Sequence, residues 1–438
     1  MVRRSRMNKY PRKTWRNGVW LAALVLAVAA CLFSAPQPGS GLIVYVGTDD
    51  NIYTIDQYGE NKQAVTQSIA DGGEQSRVYQ QPTWSPDGNR VAFIQTSMRG
   101  NETQAARLFT AKPDGSDLVE TFSSEDQFPF YLYWSPDSQQ LSFLTTGGSE
   151  SGLVLYMVPP QGGEAQVLGI DQPYYWDWSP DSRSILIHTG GSTRFNPDAR
   201  LTLLNLDGEV KESELHLQPA TFQAPAWSPD GEKLLLAAGS DSDGEGLLLT
   251  NTKGEVLSLL RSLDDSIAFS WSPDGNWVAY VSEDNRGSED VSRELVYLDP
   301  DRVEEAHSVV HDLIVAYFWS PDSRKIAYFV PRISIPSEQQ VSLQAQEPQL
   351  SLELHLLDVQ TGDSQRLIEF TPTEDFLNIL PFYDQYQRSA TIWSPDSKNL
   401  VISALDQDGV HAIYAIEISE NSEARRLASG RLAFWSWK

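Results

Sequence analysis

The tetrapeptide Trp-Ser-Pro-Asp occurs seven times, beginning at Trp84, Trp134, Trp178, Trp227, Trp271, Trp319 and Trp393. A degenerate eighth copy, Phe434-Trp435-Ser436-Trp437, lies at the end of the sequence. Successive copies are 50, 44, 49, 44, 48, 74 and 42 residues apart. A period in the forties is the mark of a propeller or of a repeat array.

The residues around each motif say what the repeat is made of. Upstream of Trp271 runs Ile267-Ala268-Phe269, and downstream Trp277-Val278-Ala279-Tyr280-Val281. Both are short, β-branched and aromatic, and turn residues bound them, so both read as strands. Ser-Pro-Asp-Gly between them suits a type I turn: Ser at its first position, Pro presetting φ at the second. The fifth motif residue, after the turn, is Gly at 88, 231 and 275 and Ser at 138, 182, 323 and 397. Positive φ there would cost the serines a little strain that glycine avoids. The motif is thus a hairpin between an inner strand and its neighbour, with the Trp ring packed on the adjacent blade. Truncating one such Trp, for example Trp227, should cost about 3–5 kcal/mol. This role is structural and makes no Asp of the motif catalytic.

Each repeat offers four strand candidates, as in Phe130–Tyr133 leading into Trp134 after Val91–Ile94, Arg107–Thr110 and Leu118–Thr121. No long amphipathic helix is legible. The fold class is therefore all-β, a β-propeller of four-stranded blades. Residues 42–47, 51–56 and 62–67 supply three strands with no inner strand before them, and 431–437 an inner strand with nothing after it. Pairing the two ends in one blade closes the ring and predicts eight blades, with seven as the alternative.

Ahead of this body, residues 1–35 carry seven Lys or Arg and no acid, and an apolar run spans Val19–Phe33. That is the pattern of an export signal or membrane anchor. Val28-Ala29-Ala30-Cys31 is similar to a bacterial lipobox, which makes Cys31 a lipidation candidate; an uncleaved anchor and plain secretion are the alternatives. Each outcome that keeps the anchor puts the body on the extracytoplasmic side of a membrane. Residues 36–41 read as a linker and 42–438 as the propeller. Cys31 is the sole cysteine, so the body has no disulfide, and a chain of this length needs none. After the seven N-terminal basic residues, 26 basic residues face 59 acidic ones. That balance argues against nucleic-acid binding by the body.

The connections divide by length. The motif turns are short, as are Pro113-Asp114-Gly115, Asp207-Gly208 and Lys253-Gly254. The others are long: Ser68–Arg77, Ser97–Ala105, Thr189–Ala199, Ala238–Glu245, Ser282–Arg293, Arg332–Gln349 and Phe370–Arg388. Binding loops gather at one end of a rigid scaffold, so the long-loop face and the channel mouth inside it are the expected working surface. Aromatic residues start the inner strands there, and Arg and aromatic side chains are enriched where proteins hold partners. Partner-binding candidates are Tyr79, Phe130, Tyr174, Tyr175 and Phe222, with Phe382, Tyr383, Tyr386 and Arg388 from the insert behind the 74-residue step. Asp177, an acid on an apolar inner strand, is either a buried hydrogen-bonded group or a channel-lining one.

No nucleophile elbow occurs, and the six histidines are scattered. No catalytic residue, metal ligand or cofactor is expected. The Trp-Ser-Pro-Asp-Gly hallmark over residues 41–437 resembles the WD40-like repeats of the TolB-type propeller family. It is also similar to the propeller domains of dipeptidyl-peptidase-IV-like peptidases, without their catalytic domain. Some lyases of pectin fragments use similar repeats with a histidine-bound metal; the histidines here do not match that pattern. The resemblance implies a membrane-tethered extracytoplasmic scaffold that binds a protein or peptide and does not catalyse. A carbohydrate-binding or carbohydrate-active propeller is the second reading, and an accessory subunit of a separate peptidase the third.

Overall fold

A computed structural model describes residues 41–438 apart from 68–74, 101, 149–151, 222, 241–243, 264–265, 284–292, 335–348 and 420–421. Cys31, the basic N-terminal stretch, the 36–40 part of the linker and Phe222 lie outside the described residues, as does most of three long connections.

The described chain is all-β with four-stranded blades. Five sheets have four antiparallel strands in chain order, and in each the strand ending in the motif Trp is at one edge. The Trp178 sheet shows the register: Tyr174–Trp178 pairs with Ser184–Thr189, that strand with Arg200–Asn205, and that with Lys211–Glu214. In the Trp227 sheet the inner strand is split into Gln218–Pro219 and Ala226–Trp227.

Eight blades are expected from the motif count, and the strands form seven hydrogen-bonded sheets instead. The reason is one long strand, Ala424–Trp435. Its first half pairs with His411–Glu417 and its second half with Ile43–Gly47. The strands on both sides of it are thereby joined in a single six-stranded sheet, in the order 399–405, 411–417, 424–435, 43–47, 52–55, 63–64. The N- and C-terminal strands do pair, Ile43 with Trp435, as ring closure requires.

The motif turn is built the same way seven times. The backbone N–H of the fifth residue donates to the carbonyl of the motif Ser, as from Ser182 to Ser179 and from Gly275 to Ser272. The Ser hydroxyl donates to the Asp carboxylate two residues on, as in Ser179–Asp181 and Ser272–Asp274. The fifth residue is left-handed throughout: φ is +62° at Ser138 and Ser182, +60° at Ser323 and Ser397, and +75° at Gly231. The strain at the four serines has an offset. Each hydroxyl accepts the backbone N–H of the motif Asp one repeat earlier: Asp87 to Ser138, Asp137 to Ser182, Asp274 to Ser323 and Asp322 to Ser397. A bond worth about 1 kcal/mol opposes a backbone cost of similar size.

The Trp rings fill the spaces between repeats. Trp84, Trp134, Trp178, Trp393 and Trp435 are buried. The Trp84, Trp134 and Trp393 indoles donate to the carbonyls of Phe434, Thr83 and Phe318, each the residue just before the preceding repeat's Trp. Trp178 donates to Ser142 Oγ. Trp227 is half-buried and packs at the edge of its cluster. It is thus a poorer probe of Trp packing than Trp178.

Candidate functional site: a plugged channel with two mouths

The insert behind the 74-residue step folds into the middle of the ring. Thr373 caps a one-turn helix, α1 (Glu374–Leu377): its hydroxyl accepts Phe376 N–H at 3.3 Å, and Glu374 and Asp375 sit at the positive end. A 3₁₀ turn (Leu380–Phe382) and a second short helix, α2 (Tyr383–Tyr386), follow. Apolar side chains anchor the segment. Phe376 packs edge-on against Phe329 and Phe370, and Tyr383 against Tyr317.

Polar groups fix its orientation on inner strands far away in sequence. Gln385 donates to Trp176 O at 3.1 Å, and Gln385 O accepts the Tyr131 hydroxyl at 2.7 Å. Ala224 N–H donates to Asp384 Oδ2 at 3.1 Å. Thr83 donates to Ser389 O at 2.9 Å. Arg388 ion-pairs with Asp177 and donates to Pro225 O at 2.8 Å. Asp177 is then fully engaged, since it also accepts Tyr133 OH at 2.9 Å and Trp227 N–H at 2.8 Å. Tyr131 reaches the plug from a bulge in its strand, where it holds φ +46°, a strained value for a non-glycine.

Burial sets the electrostatics. It raises the Asp384 pKa above the usual carboxylate range, against the opposing pull of Ala224 N–H and Arg388. For Arg388, burial works against the charge, but the Asp177 carboxylate outweighs it and the pKa goes up. Burial and Asp177 push the Tyr133 hydroxyl up, and burial pushes Tyr386 up to about 12. The pair Asp177–Arg388 is a charged, internally compensated strut, and Asp384 is an acid with little compensation.

The plug divides the channel into two cavities. One, of about 490 Å³, opens on the long-loop face; its lining includes Tyr175, Gln223, Arg293, Phe382, Tyr383 and Asp384. The other, of about 510 Å³, opens on the face of the motif turns, with Tyr133, Asp177 and Arg388 among its lining.

Of the expected partner-binding residues, the structure brings together Tyr175, Phe382 and Tyr383 at the first cavity and Asp177 and Arg388 at the second. Phe382 is 49% exposed. Tyr383, Tyr79 and Tyr174 are buried, Tyr79 against Phe93 and Tyr174 against Trp176. Phe130 and Tyr386 are half-buried, and Tyr386 stacks edge-on against Tyr131. Asp177 is the buried, hydrogen-bonded acid rather than an open channel group. Sequence reasoning missed Asp384 and Gln385, and Arg293 and Gln223 at the first mouth. The 74-residue step was the signal for the first two.

The decisive observation for the fold is a ring of four-stranded antiparallel blades with motif strands innermost. The chain is a β-propeller. No family model and no curated protein sequence matches it. Among solved structures, an oligogalacturonate lyase in complex with manganese is 15% identical, with 86% of this chain and 96% of that one covered at a TM-score of 0.51. An oligogalacturonate lyase from Vibrio parahaemolyticus is 16% identical over 88% and 100%, with a TM-score of 0.49. TolB from Acinetobacter baumannii is 13% identical over 94% and 71%, with a TM-score of 0.40. Likeness at this level concerns fold. It also corrects one expectation: enzymes occur on this propeller fold, so a propeller without a peptidase domain is not thereby a protein without catalysis. Among the described residues, no three His, Cys, Asp or Glu side chains group as metal ligands, and no helix is long and apolar enough to cross a membrane.

Proposed function

We propose that the protein is a membrane-tethered, extracytoplasmic propeller that holds a protein or peptide partner at its long-loop mouth. The tether rests on the basic and apolar N-terminal stretch. The observation that carries the binding reading is the cavity of about 490 Å³ over the plug, with half-exposed Phe382 at its rim and Asp384 in its lining. Apolar walls from Leu350, Leu352 and Leu377 suit an apolar stem, and Asp384 suits a basic tip. A Lys or Arg side chain of a partner matches both features, because it buries its stem and offers charge at the end. The counter-charge would favour ionised Asp384, against the burial that raises its pKa.

The test is capture from solubilised cell envelope with the wild-type chain and with Phe382→Asp as baits. A protein held by the wild type and lost with Phe382→Asp supports the reading; equal capture by both refutes this mouth as the contact. Metabolic labelling with a lipid precursor, compared with Cys31→Ala, tests the tether separately.

A carbohydrate ligand at the same cavity is the second reading. The raised pKa of Asp384 favours it, since a carboxyl that keeps its proton can donate to a sugar oxygen or act as a general acid. Oligogalacturonides that raise the melting temperature of the wild type but not of Asp384→Ala would favour this reading over a basic peptide.

A further inference from the structure

His188 is a buried titratable side chain that lines neither mouth. It lies on the strand Ser184–Thr189, between Tyr175 and Leu201 on the neighbouring strands. Each of its ring nitrogens meets a carbonyl oxygen. Nδ1 is 2.8 Å from Gln223 O, and Nε2 is 2.8 Å from Gly191 O. A neutral imidazole has one N–H and can donate to only one of the two. Its other nitrogen then turns a lone pair toward the second carbonyl. The imidazolium donates to both. Burial opposes the charge and lowers the pKa, while the two carbonyls pull the other way. The ring therefore takes its second proton below its ordinary value of roughly 6.5.

What the ring holds gives this proton a consequence. Gly191 lies in the connection that follows the strand of His188, and Gln223 lies in the next sheet. In that sheet the inner strand is split. Gln218–Pro219 and Ala226–Trp227 pair with Lys233–Ser240, and Gln223–Pro225 lie outside the ladder. Contacts from other segments hold this stretch instead: Ala224 N–H donates to Asp384, and Pro225 O accepts Arg388. Gln223 itself lines the long-loop cavity. His188 is thus a further attachment of a stretch that both walls the mouth and grips the plug. Among the described residues, the charged or titratable groups on the elements around the ring are Tyr175, Asp384, Arg388, and Arg194 with its partner Glu245. Burial keeps Tyr175 neutral, and Asp177 compensates Arg388. Asp384 titrates as well, so a test has to separate the two groups.

We propose that His188 is a proton-operated latch on the long-loop mouth. Protonated, its ring donates to Gly191 O and Gln223 O together, ties the 190–199 connection to Gln223–Pro225 and fixes the wall of the cavity. Neutral, it holds one side only, and the wall is looser. The latch acts on the wall itself, whichever ligand the mouth takes.

The test is hydrogen exchange of the full-length chain from about pH 7.5 down to about pH 4.5, a range that brackets the ordinary histidine value. Exchange is read by mass spectrometry and corrected for its intrinsic pH dependence. Peptides over 187–199 and 223–229 should gain about three- to ten-fold protection as pH falls, with a midpoint below roughly 6.5. A peptide over 91–99, on another sheet, should show no such step. His188→Gln keeps a donor but takes no proton, and its protection in the two segments should stay flat with pH. The step should survive in Asp384→Asn, which removes the other titrating group. Should His188→Gln fold poorly, the wild type and Asp384→Asn decide between them. Three results would overturn the proposal: no step in the wild type, a step that His188→Gln retains, or a step that Asp384→Asn abolishes.

Discussion

Breaking the Asp177–Arg388 strut should be costly, and removing both halves should cost less than the sum. The side chains are 5% and 12% exposed. Removing one partner of a buried pair typically costs about 3–5 kcal/mol, because the other charge is left without compensation. Arg388→Met also loses the bond to Pro225 O, worth about 1 kcal/mol. It leaves Asp177 with Tyr133 OH and Trp227 N–H alone. The single variant is therefore expected near the top of that range. Asp177→Leu strands the guanidinium and frees two donors, and should cost a similar amount. In the double variant neither charge is buried, and apolar side chains of similar volume refill the space. A coupling energy of at least about 2 kcal/mol is expected from the cycle. Urea unfolding of the four proteins, followed by tryptophan fluorescence, measures it. Single costs that simply add, with a coupling below about 0.5 kcal/mol, would show that the two side chains act independently and that Arg388 does not hold the plug through Asp177.

The other predictions use different parts of the structure. The Asp384 pKa is raised in the folded state, so between its ordinary and raised values the native state binds the extra proton and stability falls as pH rises. Asp384→Asn should therefore raise the melting temperature at pH 8 and leave it unchanged near pH 3; parallel profiles for the two proteins would refute this. The Asp181 and Asp230 carboxylates are held below the usual range by the Ser179 and Ser228 hydroxyls, so their contribution is present above about pH 4 and lost as pH falls, most visibly as acid unfolding that Ser228→Ala weakens. Ser182→Ala keeps the left-handed backbone and loses the bond from Asp137 N–H, costing about 1 kcal/mol; Ser182→Gly loses the same bond but relieves the strain and should cost clearly less. Trp178→Ala, at a fully buried ring, should cost about 3–5 kcal/mol, and half-buried Trp227→Ala distinctly less, both read by denaturant titration.

Local pattern made the blades legible. The motif residues act through neighbours in sequence: Ser179 caps Asp181, the fifth residue bonds Ser179, and Trp178 closes its own strand. Such contacts are visible in any one repeat, and seven repeats make them unmistakable. The sheet count is different, because it depends on whether one strand serves one array or two. Nothing local in Ala424–Trp435 shows that its halves pair with different neighbours. The partner residues show the same division. Phe382 was legible as an exposed aromatic on a long insert. Burial of Tyr79, Tyr174 and Tyr383 was not, because an inner strand alternates faces and an aromatic residue fits either one.

The plug is the largest thing the pattern did not show, and the reason is physical. Its hydrogen bonds to the inner strands join residues 160 to 306 positions apart, such as Asp384 to Ala224 and Thr83 to Ser389. Its helices are each four residues long, too short for a hydrophobic period to register. Yet this one segment decides what the ring can do. Asp384 lines the long-loop cavity and Arg388, four residues on, lines the turn-face cavity. Without the insert the ring would enclose a single channel in which the two mouths shared one electrostatic environment. With it, a buried acid lines one cavity and the ion-paired Asp177 and Arg388 line the other, so the two mouths differ in their electrostatics.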